Sequence, residues 1–234
     1  MARLNPAQWQ ALRSNPWFAA LSDRFQQDVV ARASMRFIDK GTRLFSRGDP
    51  GCVWYGLLEG AIQIGGTSSA GRAAVLTFYL PGAWFGEPSL LDGGPRMYDA
   101  SAHIAAQLLV VGAADFEELL SRHPEFSRSL LKLECERLRV MAIAMEATAT
   151  HSPEQRLAGR LVEMARSYGS PTERGHRIDL NLPQETLAQV VGISRQRVNQ
   201  IFKLWSQEGL IEQHYGHLVL LDQTKLEAMA QGAL

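Results

Sequence analysis

Along the chain the spacing of apolar positions changes twice. Residues 1–33 carry Pro6, Trp9 and Leu12, then Pro16, Trp17, Phe18 and Leu21, then Val29 and Val30, spaced as the inner faces of short amphipathic helices. From 34 to 114 the pattern turns to short apolar runs divided by glycine: FIDKGTRLFSRGDPG, VWYGLLEGAIQIGG, AAVLTFYLPGAWFGE and AHIAAQLLVVG. Short strands with turn signals this frequent predict a small antiparallel barrel or roll, with Gly41, Gly48, Gly56, Gly60, Gly82 and Gly86 at its corners.

A helical period returns at 115. The stretch DFEELLSRH (115–123) predicts a short helix with Asp115 as its cap, and Pro124 opens a second helix that runs to about Thr150. Its apolar seam is Leu131, Cys135, Leu138, Ala142, Met145 and Ala149, a heptad pattern of nearly three repeats. A seam of this kind pairs with its twin in a parallel dimer, and the alternative is packing on the chain's own roll. Cys135 reads there as a small apolar residue. His151-Ser152-Pro153 breaks the helix, with Ser152 capping the next one, which runs to about 167. A loop, SYGSPTERGH, and a short strand, RIDL, follow.

The stretch from Asn181 to Leu210 predicts two helices joined by a tight turn. Pro183 suits a first helical position, Leu187, Val190 and Val191 repeat at helical spacing, Gly192 suits a left-handed cap, and Ser194 caps the second helix. In that second helix Val198, Ile201, Phe202 and Trp205 fall on one face, leaving Arg195, Gln196, Arg197, Asn199, Gln200 and Lys203 outside it. Arginine pairs bidentately with guanine in the major groove, and asparagine or glutamine with adenine. Lys203, further along, suits a phosphate. Gly209 to Asp222 then predicts two strands around Tyr215-Gly216, the wing of a winged helix. The bland alternative is the polar outside of an ordinary amphipathic helix.

Composition narrows the class. There are 24 basic and 24 acidic residues, and from 151 onward nine of each, so the DNA-binding half is neutral and its non-specific affinity is expected to be weak. Two cysteines, Cys52 and Cys135, form neither a disulfide framework nor a metal cluster. No run approaches the ~20 apolar residues of a membrane helix and no secretory leader opens the chain, so a cytoplasmic protein without a membrane partner is expected. No Ser/His/Asp constellation or P-loop occurs, and an enzyme is not expected.

A roll, a long dimerisation helix, a break and a winged helix, in that order, resemble the CRP/FNR superfamily of bacterial transcription regulators. The most specific pieces are KGTRLFSRGDPG (40–51), GEPSLLDGGPR (86–96) and VVGISRQRVNQIFKLWSQEGLI (190–211). The resemblance implies an α+β fold: an N-terminal antiparallel β-roll of the cyclic-nucleotide-binding type, a long dimerisation helix, and a C-terminal winged helix-turn-helix. It implies a sensor domain with N-terminal helices over 1–123, a dimerisation helix over 124–151 and a DNA-binding domain over 152–234. It further implies a homodimer on a palindromic operator, with RNA polymerase as a partner.

Members that sense cyclic AMP hold it in the roll. Gly86, Glu87 and Arg96 match that phosphate cassette, with Glu87 for the ribose hydroxyl and Arg96 for the phosphate. Met97 stands where a Ser or Thr would bond the phosphate, and Met141 and Ala142 stand where adjacent hydroxyls would meet the purine. Each lost neutral hydrogen bond removes roughly 1 kcal/mol, so tight cyclic AMP binding in the usual mode is not expected. Another nucleotide, another small ligand, or no ligand remain open. Without a ligand, Glu87 and Arg96 would form an internal ion pair. The iron–sulfur sensing branch needs four cysteines and is excluded. Haem would need axial ligands, for which His103, His123 and Cys52 are scattered candidates. In the recognition helix the resemblance implies that Arg195 reads a guanine, while Gln196 and Gln200 depart from the cyclic AMP receptor, with Gln200 favouring adenine.

Overall fold

In a computed structural model, which describes residues 3–67, 71, 73–180 and 182–232, the N-terminal helices form where the sequence supplies caps. Helix α1 (Pro6–Arg13) starts in a reciprocal box: the Gln8 N–H donates to Asn5 Oδ1 and the Asn5 N–H to Gln8 Oε1, both at 2.9 Å. Asn15 caps α2 (Pro16–Ala19) and Ser22 caps α3 (Asp23–Arg32). The chain divides into two compact units, residues 1–138 and 139–234.

The first unit is the expected roll. Strands β1 (Ser34–Ile38), β2 (Arg43–Phe45), β3 (Val53–Thr67), β4 (Ala73–Tyr79), β5 (Trp84–Phe85) and β6 (Asp99–Gly112) pair antiparallel in the order β1-β6-β3-β4, with β2 also on β6 and β5 on β3. Two apolar clusters fill it. One, under the N-terminal helices, centres on Trp54 and Trp84, whose rings lie 4.2 Å apart, with Phe18, Phe25, Phe116 and Phe126 around them. The other gathers Phe45, Tyr55, Phe85, Tyr79 and Tyr98 with aliphatic neighbours inside the roll. Side chains of this size contribute about 1.5–3 kcal/mol each on full burial, so the clusters fix the strand register.

Of the expected corner glycines, Gly41, Gly48, Gly60, Gly82 and Gly86 have positive φ. Gly56 does not mark a corner. It lies mid-strand in β3, where an added Cβ would stand 2.8 Å from the Trp84 ring, so it serves close packing rather than a turn. A short helix, α4 (Pro88–Asp92), follows Glu87 and ends at left-handed Gly93.

Helix α5 (Ala113–Arg122) begins two residues earlier than expected, after Gly112. Asp115 is inside its first turn and not its cap, and its carboxylate meets Arg32 at 3.2 Å. Helix α6 (Pro124–Thr150) has the expected bounds and, at 27 residues, a length of roughly 40 Å. Phe126 and Leu130 are buried in the first unit, and the Trp17 indole N–H donates to the Ser129 carbonyl at 2.9 Å.

In the second unit Ser152 caps α7 (Pro153–Tyr168) with a box to Gln155, as its sequence implies. The predicted loop SYGSPTERGH is instead a hairpin, β7 (Gly169–Thr172) and β8 (Gly175–Ile178), and the expected strand RIDL is shifted to GHRI. The cause is tertiary: β8 pairs with β10 and extends the wing into a four-stranded sheet, β7-β8-β10-β9, so a polar segment is drawn into strand. The remaining elements are α8 (Gln184–Val191), α9 (Arg195–Gln207), β9 (Ile211–His214), β10 (His217–Leu220) and α10 (Gln223–Ala230). Asn181, which opens the predicted helix-turn-helix stretch, lies outside the described residues. Among the described residues no helix is long and apolar enough to cross a membrane.

Candidate nucleic-acid interface

The turn between α8 and α9 follows from three residues. Gly192 is left-handed (φ 73°), which ends α8 without strain, Ile193 donates back to the Ala188 carbonyl at 3.0 Å, and Ser194 Oγ accepts the Arg197 N–H at 3.2 Å. Pro183 precedes α8 as its N-cap with extended ψ and is not its first helical residue. Leu187 and Val191 are buried and Val190 is half-buried, while Val198, Ile201, Phe202 and Trp205 are all buried. That packing turns the polar side of α9 outward. Strands β9 and β10 form the wing, with Tyr215 fully exposed at its tip and Gly216 at φ 83°.

Of the seven candidate contact residues, Arg195, Gln196 and Lys203 are exposed and free of polar partners among the described residues. Ser194 is used as the cap. The other three are tied to the protein. Arg197 is paired with Glu154 on α7 and donates to Gln200 Oε1 at 3.2 Å. Asn199 Nδ2 donates to Gln184 Oε1 at 3.0 Å, and Gln184 Nε2 donates to Gln213 Oε1 at 3.2 Å. A groove of about 480 Å³ beside them is lined by Asn199, Lys203, Ser206, Gln207 and Gln213.

The basic side chains of this unit are mostly neutralised. Arg160 pairs with Glu163, Arg166 with Glu227, Arg174 with Glu212, Arg177 with Asp179 and Lys225 with Glu208, in addition to Arg197 with Glu154. Arg156 donates to the carbonyls of His151 (2.9 Å) and Val191 (3.3 Å), fastening the helix break to the end of α8. Among the described residues Arg195 and Lys203 alone, of the nine basic residues after 150, have no such partner.

In the roll, Glu87 is fully buried and Arg96 nearly so, but they do not pair with each other as expected. Arg96 donates to the carbonyls of Gly86 (2.8 Å) and Val53 (2.6 Å), and its guanidinium lies 4.5 Å over the Phe45 ring. Glu87 pairs with Arg137 of α6, which also donates to Glu134 at 2.8 Å and to the Trp84 carbonyl at 2.7 Å. The reason is the left-handed Gly86, which sets the Arg96 guanidinium against its own carbonyl while the Glu87 side chain meets α6. Arg137 is the residue that the sequence reading misses. Its signal is a position on the Phe126–Leu130–Glu134 face, about a quarter-turn round the helix from the seam.

Burial pushes the Glu87 carboxyl up to about 7, against the opposing pull of the Arg137 charge. Burial also raises the phenols of Tyr79 and Tyr98. Glu87 Oε2 and Arg96 Nε have no partner and are buried. The cavity at Arg96, lined by Phe45, Gly86, Pro88, Ser89, Met97 and Tyr98, measures about 10 Å³. Met97 is exposed, as are Met141 and Ala142 on the part of α6 that belongs to the second unit.

Within each unit the seam faces solvent. Leu131, Leu138 and Met145 are 68, 64 and 72% exposed, and Cys135, Ala142 and Ala149 are exposed too. Of the haem-ligand candidates, His123 Nε2 lies 3.0 Å from Asp28, His103 packs edge-on against Phe78, and Cys52 is exposed. Among the described residues no group of three or more His, Cys, Asp or Glu could hold a metal ion.

Two family models match the chain: the cyclic nucleotide-binding domain over residues 35–123 and the Crp-like helix-turn-helix domain over 155–229. A CRP-like cAMP-activated global transcriptional regulator of Mycobacterium tuberculosis is 28% identical over 192 residues, 82% of this chain and 86% of that relative. The cyclic AMP receptor protein of Thermus thermophilus is 25% identical over 94% of this chain and 99% of that relative. The structure of FixK2 from Bradyrhizobium japonicum has the same fold, with a TM-score of 0.75 at 21% identity over 84% of this chain and 96% of that one.

Proposed function

Since the chain belongs to the CRP/FNR superfamily of DNA-binding transcription regulators, we propose that it acts as a homodimer on a palindromic operator, under the control of a small ligand of the roll. The observation that carries the DNA part is the outward face of α9, where Arg195 stands in the first turn, exposed and without an acidic partner among the described residues. A free guanidinium at that end of a recognition helix suits guanine O6 and N7. Gln196 and Gln200 read neighbouring bases, and Lys203 meets a phosphate. The exposed heptad seam supports the dimer, because three large apolar side chains at a/d spacing otherwise stay in water.

Ligand control rests on two orphaned atoms. Glu87 Oε2 and Arg96 Nε are buried without partners, a donor–acceptor pair suited to a small molecule bearing a hydroxyl and an anionic group. Binding would bias how the two α6 helices pair, and rotation at Ser152 would set the recognition helices about one DNA turn, ~34 Å, apart. RNA polymerase is the partner that membership of the family implies. A second reading, a ligand-independent regulator, is favoured by the cavity of about 10 Å³, which is too small for a nucleotide unless the cleft opens.

The test is selection of DNA from a random pool by the purified full chain, alone and with cyclic AMP. A palindrome with a guanine in each half-site, enriched equally in both arms, is the expected result. Enrichment only with cyclic AMP would mean that Glu87 and Arg96 suffice despite Met97, Met141 and Ala142. No enrichment in either arm would overturn the DNA reading.

A further inference from the structure

Arg197 sits between the helix break and a base-reading side chain. One of its nitrogens is held by Glu154, in the first turn of α7 just beyond the Ser152 cap, and another donates to Gln200 Oε1 at 3.2 Å. A guanidinium has donors only, so the atom of Gln200 that it meets is the carbonyl oxygen and not the amide nitrogen. That bond takes one of the two lone pairs of the oxygen and draws it toward Arg197, and Gln200 Nε2 is left as the amide group that has no protein partner among the described residues. Glutamine recognises adenine bidentately only when both its oxygen and its nitrogen face the base, the first accepting from N6 and the second donating to N7.

We propose that Glu154 is a specificity-determining positioning residue, which through Arg197 turns the Gln200 amide so that it offers a donor to the DNA. Resting on the DNA-binding reading above, this changes what Gln200 selects. A donor alone suits base edges rich in acceptors, guanine O6 and N7 or thymine O4, in place of the bidentate adenine contact that glutamine otherwise favours. Glu154 touches no base itself. It holds Arg197 in place, and it does so from the segment that joins α6 to the DNA-binding elements, fastened there by the Ser152 box and by Arg156 on the Val191 carbonyl.

The experiment is the random-pool selection repeated with full-length variants, after circular dichroism has shown that each is folded. Gln200→Ala identifies the operator position that Gln200 faces, as the one whose preference disappears. At that position the wild type is expected to favour guanine or thymine. Glu154→Ala releases Arg197 from its anchor, so that the Gln200 amide is no longer held, and the adenine-to-guanine ratio rises about tenfold, the value of one directed hydrogen bond pair. Exchanging the charges, with Glu154→Arg and Arg197→Glu together, puts an acceptor beside Gln200. Its Nε2 then turns inward, and bases offering an N–H, adenine or cytosine, are selected. Arg197→Lys keeps a donor and the wild-type preference. An unchanged base preference in both Glu154→Ala and the charge exchange would overturn the proposal while leaving DNA binding intact, whereas a wild type that enriches nothing would overturn the reading beneath it. A merely structural role for Glu154 would lower affinity for all sequences alike and would move neither ratio.

Discussion

The half-buried Arg137 and the fully buried Glu87 form an ion pair that joins α6 to the cassette of the roll, and the same guanidinium holds the Trp84 carbonyl at 2.7 Å. A fully buried carboxylate depends on such a partner, because removing one member of a buried pair leaves an uncompensated charge.

Arg137→Met is therefore expected to destabilise the first unit by about 3–5 kcal/mol at pH 8, while Arg137→Met combined with Glu87→Gln recovers most of the loss. Urea unfolding of the two variants and the wild type checks this.

The pair also sets a pH dependence. The Glu87 carboxyl, raised to about 7 by burial, binds its proton more tightly in the folded chain than in the unfolded one, where it titrates near 4.5. Its contribution to stability is thus fully present below about pH 4.5 and is lost as pH rises through about 7, a change of roughly 3 kcal/mol. Thermal midpoints measured from pH 5 to 8 should fall for the wild type relative to Glu87→Gln, and parallel curves would refute the assignment.

Gly56→Ala should cost about 1–3 kcal/mol, since the new methyl would stand 2.8 Å from the Trp84 ring in a filled core. Denaturant midpoints give the answer, and Gly41→Ala, with open space around it but positive φ, separates packing from backbone strain.

Leu138→Glu places like charges opposite each other in the proposed seam and is expected to weaken dimerisation at least about tenfold. The side chain is 64% exposed within the single chain, so the fold should survive. Sedimentation equilibrium distinguishes a folded monomer from an unchanged oligomer.

Arg195→Ala should cost about 1–3 kcal/mol of operator affinity and relax specificity at one base of each half-site. Titrations with single-base operator variants check this, and uniform weakening across all of them would show that Arg195 touches only phosphate.

The sequence made some of this legible for physical reasons. The stripe of Leu131, Leu138 and Met145 is visible because apolar residues spaced by seven share one face of a helix, and Ser152, Gly192 and Ser194 announce helix ends through local conformation and hydrogen bonds. What escaped depends on partners far along the chain. The β7–β8 hairpin is polar and becomes strand only because β10 lies beside it. Arg137 reads as a surface charge until the fold brings Glu87 to it, 50 residues away in sequence. Arg197 looks like a DNA contact until Glu154 on another helix claims it.

The neutralised arginines of the second unit bear on how the regulator finds its site. A genome offers some 10⁶–10⁹ competing non-specific sites, each attractive mainly through phosphate charge. With six of the nine basic side chains after residue 150 paired to carboxylates, few copies would be sequestered on bulk DNA. Occupancy of an operator could then follow the number of molecules in the cell closely, so that a small copy number would serve a small set of promoters.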